Sequence, residues 1–131
     1  DNFKAINDTY GHAAGDRVLA AVAAAARRGV RNIDLCARYG GEELAILLPQ
    51  TPIERAQDVA ERLRRTLESS RIEVDGRVLS VTASFGVASY PTSTGSRDSL
   101  FSAADRALYD AKRAGRNCVR CSGLNTHATV S

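Results

Sequence analysis

The run Arg38-Tyr39-Gly40-Gly41-Glu42-Glu43-Leu44 sets two glycines beside two carboxylates. Glycines let the backbone turn tightly and approach a bulky ligand that side chains would obstruct. Two neighbouring carboxylates at the tip of such a turn raise each other's pKa unless a cation neutralises them. Hard oxygen donors of this kind suit Mg²⁺, which binds through one or two carboxylates together with substrate phosphates. A solvent-exposed hairpin with two acidic residues would carry the same letters, so the run takes its meaning from its surroundings. Further on, Lys112 and Arg116 stand four residues apart where a helical pattern closes, so both cations can reach one side. Cations at that place also complement the dipole of a helix end.

Helices and strands must deliver these groups. Leu19, Val22, Ala25 and Ala26 recur at helical spacing after Asp16, which predicts a helix capped by Asp16, running to about Arg28 and ended by Gly29. Ile33, Leu35 and Ala37 alternate with Asp34, Cys36 and Arg38, the pattern of a half-buried strand. Residues 44–48 are apolar on both faces and predict an inner strand, paired with the first around the glycine turn. Thr51-Pro52-Ile53-Glu54 reads as a helix start with Thr51 as cap, and Ile53, Ala56, Ala60, Leu63 and Leu67 then form one apolar stripe. Asp75-Gly76 predicts a tight hairpin. After it Leu79, Val81, Ala83, Phe85 and Val87 face one way, with Ser80, Thr82 and Ser84 on the other. A loop over residues 91–95 leads to a last helix marked by Leu100, Phe101, Ala104, Leu108 and Ala111 and stopped at Gly115. Cys118 to Cys121 form a short closing strand, and residues 122–131 read as an unstructured polar tail. The sum is one α+β domain with helices over an antiparallel-rich sheet.

Length and composition agree with that frame. The chain has 131 residues, 44% of them hydrophobic and 25% charged, which suits one soluble core and excludes disordered and collagenous classes. No apolar run reaches the ~18 residues that cross a bilayer, so no membrane contact is expected of this chain. Three cysteines at unequal spacing fit a reducing compartment, and the expected location is cytoplasmic. Cys118-x-x-Cys121 lacks a second pair and a nearby His, so it reads as strand and not as a zinc site. The net charge of +3 allows an anionic ligand. Without a basic stripe interleaved with aromatics, no nucleic-acid partner is expected.

Four motifs in order resemble the GGDEF domain of bacterial diguanylate cyclases, in its Gly-Gly-Glu-Glu variant. They are residues 1–16, Arg31-Asn32-Ile33-Asp34, Arg38 to Leu44, and residues 105–117. The resemblance runs from Asp1 to about Arg120, giving a domain over residues 1–121 and a tail over 122–131. It implies a nucleotidyl-cyclase-like, ferredoxin-related fold in which each domain binds one GTP. A transient antiparallel pair of domains then joins two GTP into cyclic di-GMP and two pyrophosphates. It implies that Asn7 and Asp16 read guanine, with His12 near the same pocket, although Asp16 could simply cap a helix and His12 could simply pack in its loop. Glu42 is implied as metal ligand and catalytic base and Glu43 as a second ligand, for Mg²⁺ or alternatively Mn²⁺. Lys4 matches the lysine that stabilises developing phosphate charge, or is a solvated surface cation. Lys112 and Arg116 match triphosphate contacts.

Arg31 and Asp34 match an Arg-x-x-Asp site at which the product inhibits, and a local salt bridge is the plainer reading of the same pair. Arg62 is the third contributor by position, with Arg64 and Arg65 as alternatives. The pattern departs from the family in three places. Asp1 matches the second of two aspartates, so the first, and the strand that delivers it, precede the chain, and this piece alone is expected to be impaired. Asn2 stands where an aromatic is frequent, and Leu44 replaces the last phenylalanine of the signature. An inactive domain that binds cyclic di-GMP or GTP as a regulatory module is the alternative function.

Overall fold

The computed structural model describes residues 1–90, 96, 98–122 and 128–130. Along the chain these form α1 (Phe3–Tyr10), α2 (His12–Arg28), β1 (Leu35–Tyr39), β2 (Glu43–Leu47), α3 (Ile53–Ser69), β3 (Ile72–Val74), β4 (Arg77–Leu79), β5 (Phe85–Val87), α4 (Leu100–Arg113), β6 (Val119–Cys121) and β7 (Ala128–Val130). Five strands make one sheet in the order β1-β2-β7-β5-β6, and β3 with β4 makes a separate hairpin. In the larger sheet only β5 and β6 run parallel, so the α+β, antiparallel-rich expectation holds. No helix among the described residues is long and apolar enough to cross a membrane.

Two helices close one face of the sheet. The α3 stripe buries Ala56, Ala60, Leu63 and Leu67 against Leu44, Ile46, Phe85 and Val87, with Ala25 and Ala26 of α2 joining the same core. A smaller core under the β3–β4 hairpin gathers Ala14, Val18, Ile72, Val74, Leu79 and Val81. Asp75 and Gly76 both take positive φ, 51° and 77°, which gives the two-residue turn its hand. On the opposite face, α4 packs so closely on β5 that a Cβ at Gly86 would lie 2.1 Å from the Ala104 carbonyl oxygen and 2.3 Å from the Leu108 nitrogen. Helix and strand therefore meet backbone to backbone, and the C-terminal end of α4 is placed by that contact.

The structure departs from the sequence reading at five points. Asp16 lies inside α2, which begins at His12, so it caps nothing. Thr51 does not cap α3 either. Pro52 holds that place, and the Thr51 hydroxyl instead donates to the Pro49 carbonyl and accepts from Arg31. On β1 the buried face is the reverse of the expected one. Leu35 is 59% exposed, while Cys36, opposite Ile46, packs on the core because α2 and α3 lie on that side. The long alternating strand is interrupted between β4 and β5, which belong to different sheets. Finally, the segment read as a tail contributes β7, paired antiparallel with β2 and β5. The loop over residues 91–95 lies outside the described residues.

Gly86→Ala should drive α4 off the sheet and cost stability on the order of 1–3 kcal/mol or more. A melting midpoint equal to that of the parent would show that the backbone contact is not what seats α4.

Candidate functional site

The glycine turn is shaped from both sides. Gly40 has φ of 70°, and the Arg38 guanidinium donates to the Gly41 carbonyl at 2.7 Å, closing the turn from within. The Tyr39 ring meets Phe101 of α4 with centroids 4.6 Å apart, which ties the end of β1 to α4. Glu42 sits exposed at the tip and shares with Asp1, Phe3, Leu44 and Thr82 the lining of a cavity of about 30 Å³. Glu43, the first residue of β2, points to α4, where its Oε1 lies 3.8 Å from Lys112 Nζ.

Asp1 organises the opposite wall. Its carboxylate accepts from the Thr82 hydroxyl at 2.9 Å, the Ser84 hydroxyl at 2.7 Å and the Asn117 backbone N–H at 3.0 Å. Asp1 thereby joins Thr82 and Ser84, just ahead of β5, to the turn that follows α4. Beyond α4 the chain turns through Gly115, Arg116 and Asn117, with φ of 112°, 65° and 46°.

Asn7 lies on α1 with its amide against Gly15, one residue before Asp16. A Cβ at Gly15 would fall 1.8 Å from Asn7 Oδ1, so only glycine leaves that space. Asn7 Oδ1 is buried with no hydrogen-bond partner among the described residues, and an amide so placed asks for a donor. Lys4, His12 and Asp16 are exposed, and their side chains make no hydrogen bond or ion pair with the described residues.

A second concavity, a groove of about 660 Å³, lies between α2 and α3 and is lined by Arg28, Arg31, Asp34, Thr51, Arg55 and Arg62 among others. Arg31 and Asp34 form a bidentate pair with a shortest contact of 2.8 Å. The Arg31 guanidinium also donates to the Pro49 carbonyl and the Thr51 hydroxyl. The hydrogen bond from Arg31 is the main cause that lowers the pKa of Asp34, and the same bond raises that of Arg31. Of the three arginines open from the sequence, Arg62 lines this groove and donates to the Gly29 carbonyl. Arg64 and Arg65 are tied to Glu61.

The donor set fits a hard divalent cation in one respect. Glu42 and Glu43 are adjacent carboxylates, and Mg²⁺ needs only one or two beside phosphate and water. No cluster of three or more His, Cys, Asp or Glu side chains suited to a metal occurs among the described residues. The Asp1 clamp, Ser84, Asn117 and the Gly15 space were missed in the sequence. Asn117 closes the last motif and Ser84 lies on the polar side of an alternating run, which were the only signals.

The family model for "Diguanylate cyclase, GGDEF domain" matches residues 1–118. Diguanylate cyclase A of Treponema denticola is 49% identical over 125 residues, covering 95% of this chain and 34% of that protein. The chain thus spans about a third of that relative's length. Among solved structures, the diguanylate cyclase SiaD of Pseudomonas aeruginosa, in complex with its activator SiaC, superposes with a TM-score of 0.85 at 44% identity, over 92% of this chain and 46% of that one. The GGDEF domain of DgcB from Caulobacter crescentus, in complex with c-di-GMP, gives 0.84 at 35% identity, over 93% and 72%.

Because the folded pKa of Asp34 is lowered, its pairing with Arg31 stabilises the fold above the unfolded carboxyl value of about 4 and is lost as pH falls through the folded value. The melting midpoint of Asp34→Asn should therefore lie below the parent's at neutral pH, with the gap closing below about pH 4. A gap that is constant with pH would remove the charge from the argument.

Proposed function

The chain belongs to the GGDEF domain family of diguanylate cyclases, and from that premise we propose that it condenses two GTP into cyclic di-GMP. The observations that support this reading are the Glu42-Glu43 pair at a glycine turn, Lys112 of α4 3.8 Å from Glu43, and the buried Asn7 Oδ1 that has no hydrogen-bond partner among the described residues. In each half-reaction the 3′-oxygen of one GTP bonds to the α-phosphorus of the other. The bond from that phosphorus to the α–β bridging oxygen breaks, and pyrophosphate leaves with the electron pair. Two such steps close the ring.

Asn7 and Asp16 hold the guanine edge, and the unpartnered Asn7 Oδ1 supports this because a base N–H would satisfy it. His12 stands beside them at the start of α2. Lys112 and Arg116 take the β- and γ-phosphates, while Lys4 neutralises charge as it develops on the transferring group. Glu42 accepts the proton of the attacking hydroxyl. A divalent cation, Mg²⁺ or Mn²⁺, held by Glu42 with Glu43 as second ligand, supplies charge neutralisation at the α-phosphate. Each domain holds one nucleotide, so two domains must face each other as a transient antiparallel homodimer with a two-fold axis between their Gly40-Gly41 turns. Away from that axis, the groove of Arg31, Asp34 and Arg62 binds the product and inhibits. Its several guanidinium groups support this, since they suit a ligand with two phosphates and two guanines. Three free cysteines suit a cytoplasmic setting.

Turnover of Mg²⁺-GTP by the full-length protein tests the reading. Glu42→Ala should cut the rate at least about a hundredfold with GTP still bound, since a general base contributes about that much or more. Near-parental activity would take Glu42 out of the reaction, and a parent that binds GTP without turnover would make the domain a regulatory module. In the same assay Arg31→Ala should raise the cyclic di-GMP concentration needed for inhibition by about tenfold or more, leaving the uninhibited rate in place. Unchanged potency would reduce Arg31 and Asp34 to a surface ion pair.

A further inference from the structure

Asn117 closes the last sequence motif, and neither the catalytic nor the inhibitory reading uses it. Its backbone N–H is shared between the Asp1 carboxylate at 3.0 Å and the Ser84 hydroxyl at 3.2 Å. Its side-chain oxygen accepts from Arg64 Nη1 at 3.0 Å, and its side-chain nitrogen donates to Glu68. Every polar group of this residue except its carbonyl is engaged, and the contacts reach three segments remote in sequence. Both ends of the clamp are themselves held. Ser84 is fully buried, and Arg64, with its side chain 16% exposed, is gripped by both oxygens of Glu61 at 2.9 and 2.6 Å.

The residue before Asn117 is Arg116, which is exposed and whose side chain makes no hydrogen bond or ion pair with the described residues. Arg116 and Asn117 both take positive φ directly after Gly115, a conformation uncommon for arginine and readily adopted by asparagine. Among the described residues Arg116 is held only through its backbone N–H, which donates to the Ala111 carbonyl at 3.1 Å, whereas Asn117 makes two contacts through its side chain and two through its backbone N–H. We infer that Asn117, fixed by Asp1 and Ser84 on one side and by Arg64 and Glu68 on the other, is the positioning residue that aims Arg116 at the nucleotide's terminal phosphates. The residue type follows from the two side-chain neighbours. Arg64 requires an acceptor and Glu68 a donor, and a primary amide offers both where aspartate would set a second carboxylate against Glu68. This inference rests on the proposed reading of Arg116 as a phosphate contact.

The test is a binding cycle on the full-length protein with Arg116→Ala, Asn117→Ala and the double variant. The probes are 3′-deoxy-GTP, which lacks the attacking hydroxyl, and GMP, which lacks the β- and γ-phosphates. Asn117→Ala should weaken 3′-deoxy-GTP about tenfold, the scale of one charge-assisted contact, and GMP by less than about twofold. In the Arg116→Ala background it should add nothing further. Equal loss of both ligands, or effects that add, would overturn the positioning role while leaving Arg116 as a contact. If Arg116→Ala alone left 3′-deoxy-GTP binding unchanged, the reading of Arg116 would fall and the inference with it. Should Asn117→Ala melt below assay temperature, Arg64→Met, which removes the donor to Asn117 and keeps an apolar stem, enters the cycle with the same expectations.

Discussion

The close approach of α4 to β5 at Gly86 governs the geometry of this domain. With no side chain at that position, the helix axis sits nearer the sheet than a Cβ would permit. Three consequences follow along the same helix. Phe101 comes within reach of Tyr39, Lys112 within 3.8 Å of Glu43, and the chain leaving α4 within hydrogen-bond distance of Asp1. The cations of the last helix and the carboxylates of the glycine turn belong to elements that share no covalent neighbourhood. It is the packing of α4 on a bare strand backbone that makes them one site.

Electrostatics then distributes the roles. Glu43 is half of an ion pair with Lys112, so its charge is partly spoken for. Glu42 at the turn tip has no side-chain partner among the described residues, and under the proposed reading it is the carboxylate left available for a metal ion and for the proton of the attacking hydroxyl. The same contrast separates the two faces of the molecule. At the turn Glu42 and, beyond α4, Arg116 are exposed and make no side-chain hydrogen bond or ion pair with the described residues. In the groove between α2 and α3, Arg31 and Asp34 satisfy each other, and Thr51 and Pro49 occupy the guanidinium further. Under the proposed reading, a ligand entering that groove meets Arg31 and Arg62 already held by hydrogen bonds, which favours affinity through preorganisation.

Much of this was legible in the sequence, and what was not has definite causes. The α3 stripe, the Asp75-Gly76 turn and the end of α4 just before Gly115 follow from periodicity and φ preference, which are local. The inverted face of β1 was not local. Leu35 and Cys36 are both acceptable on either side of a strand, and the choice was made by α2 and α3 covering the side of Ile46. Thr51 had the letters of a cap, but its hydroxyl found Arg31 and the Pro49 carbonyl instead. β7 takes its strand character from the two strands that flank it, which no window of its own sequence could report. At the site, residue types named Glu42, Lys112 and Arg116, whereas Asn117 and Ser84 acquire meaning only from neighbours more than thirty positions away.

The central claim is that product forms between two domains, each holding one GTP. The direct measurement is initial rate per domain as a function of enzyme concentration, at saturating Mg²⁺-GTP, across dilutions on both sides of the dimer dissociation constant. The account predicts that the rate per domain rises with concentration and levels off once the pair is formed. A rate per domain that stays constant far below the dissociation constant would contradict it.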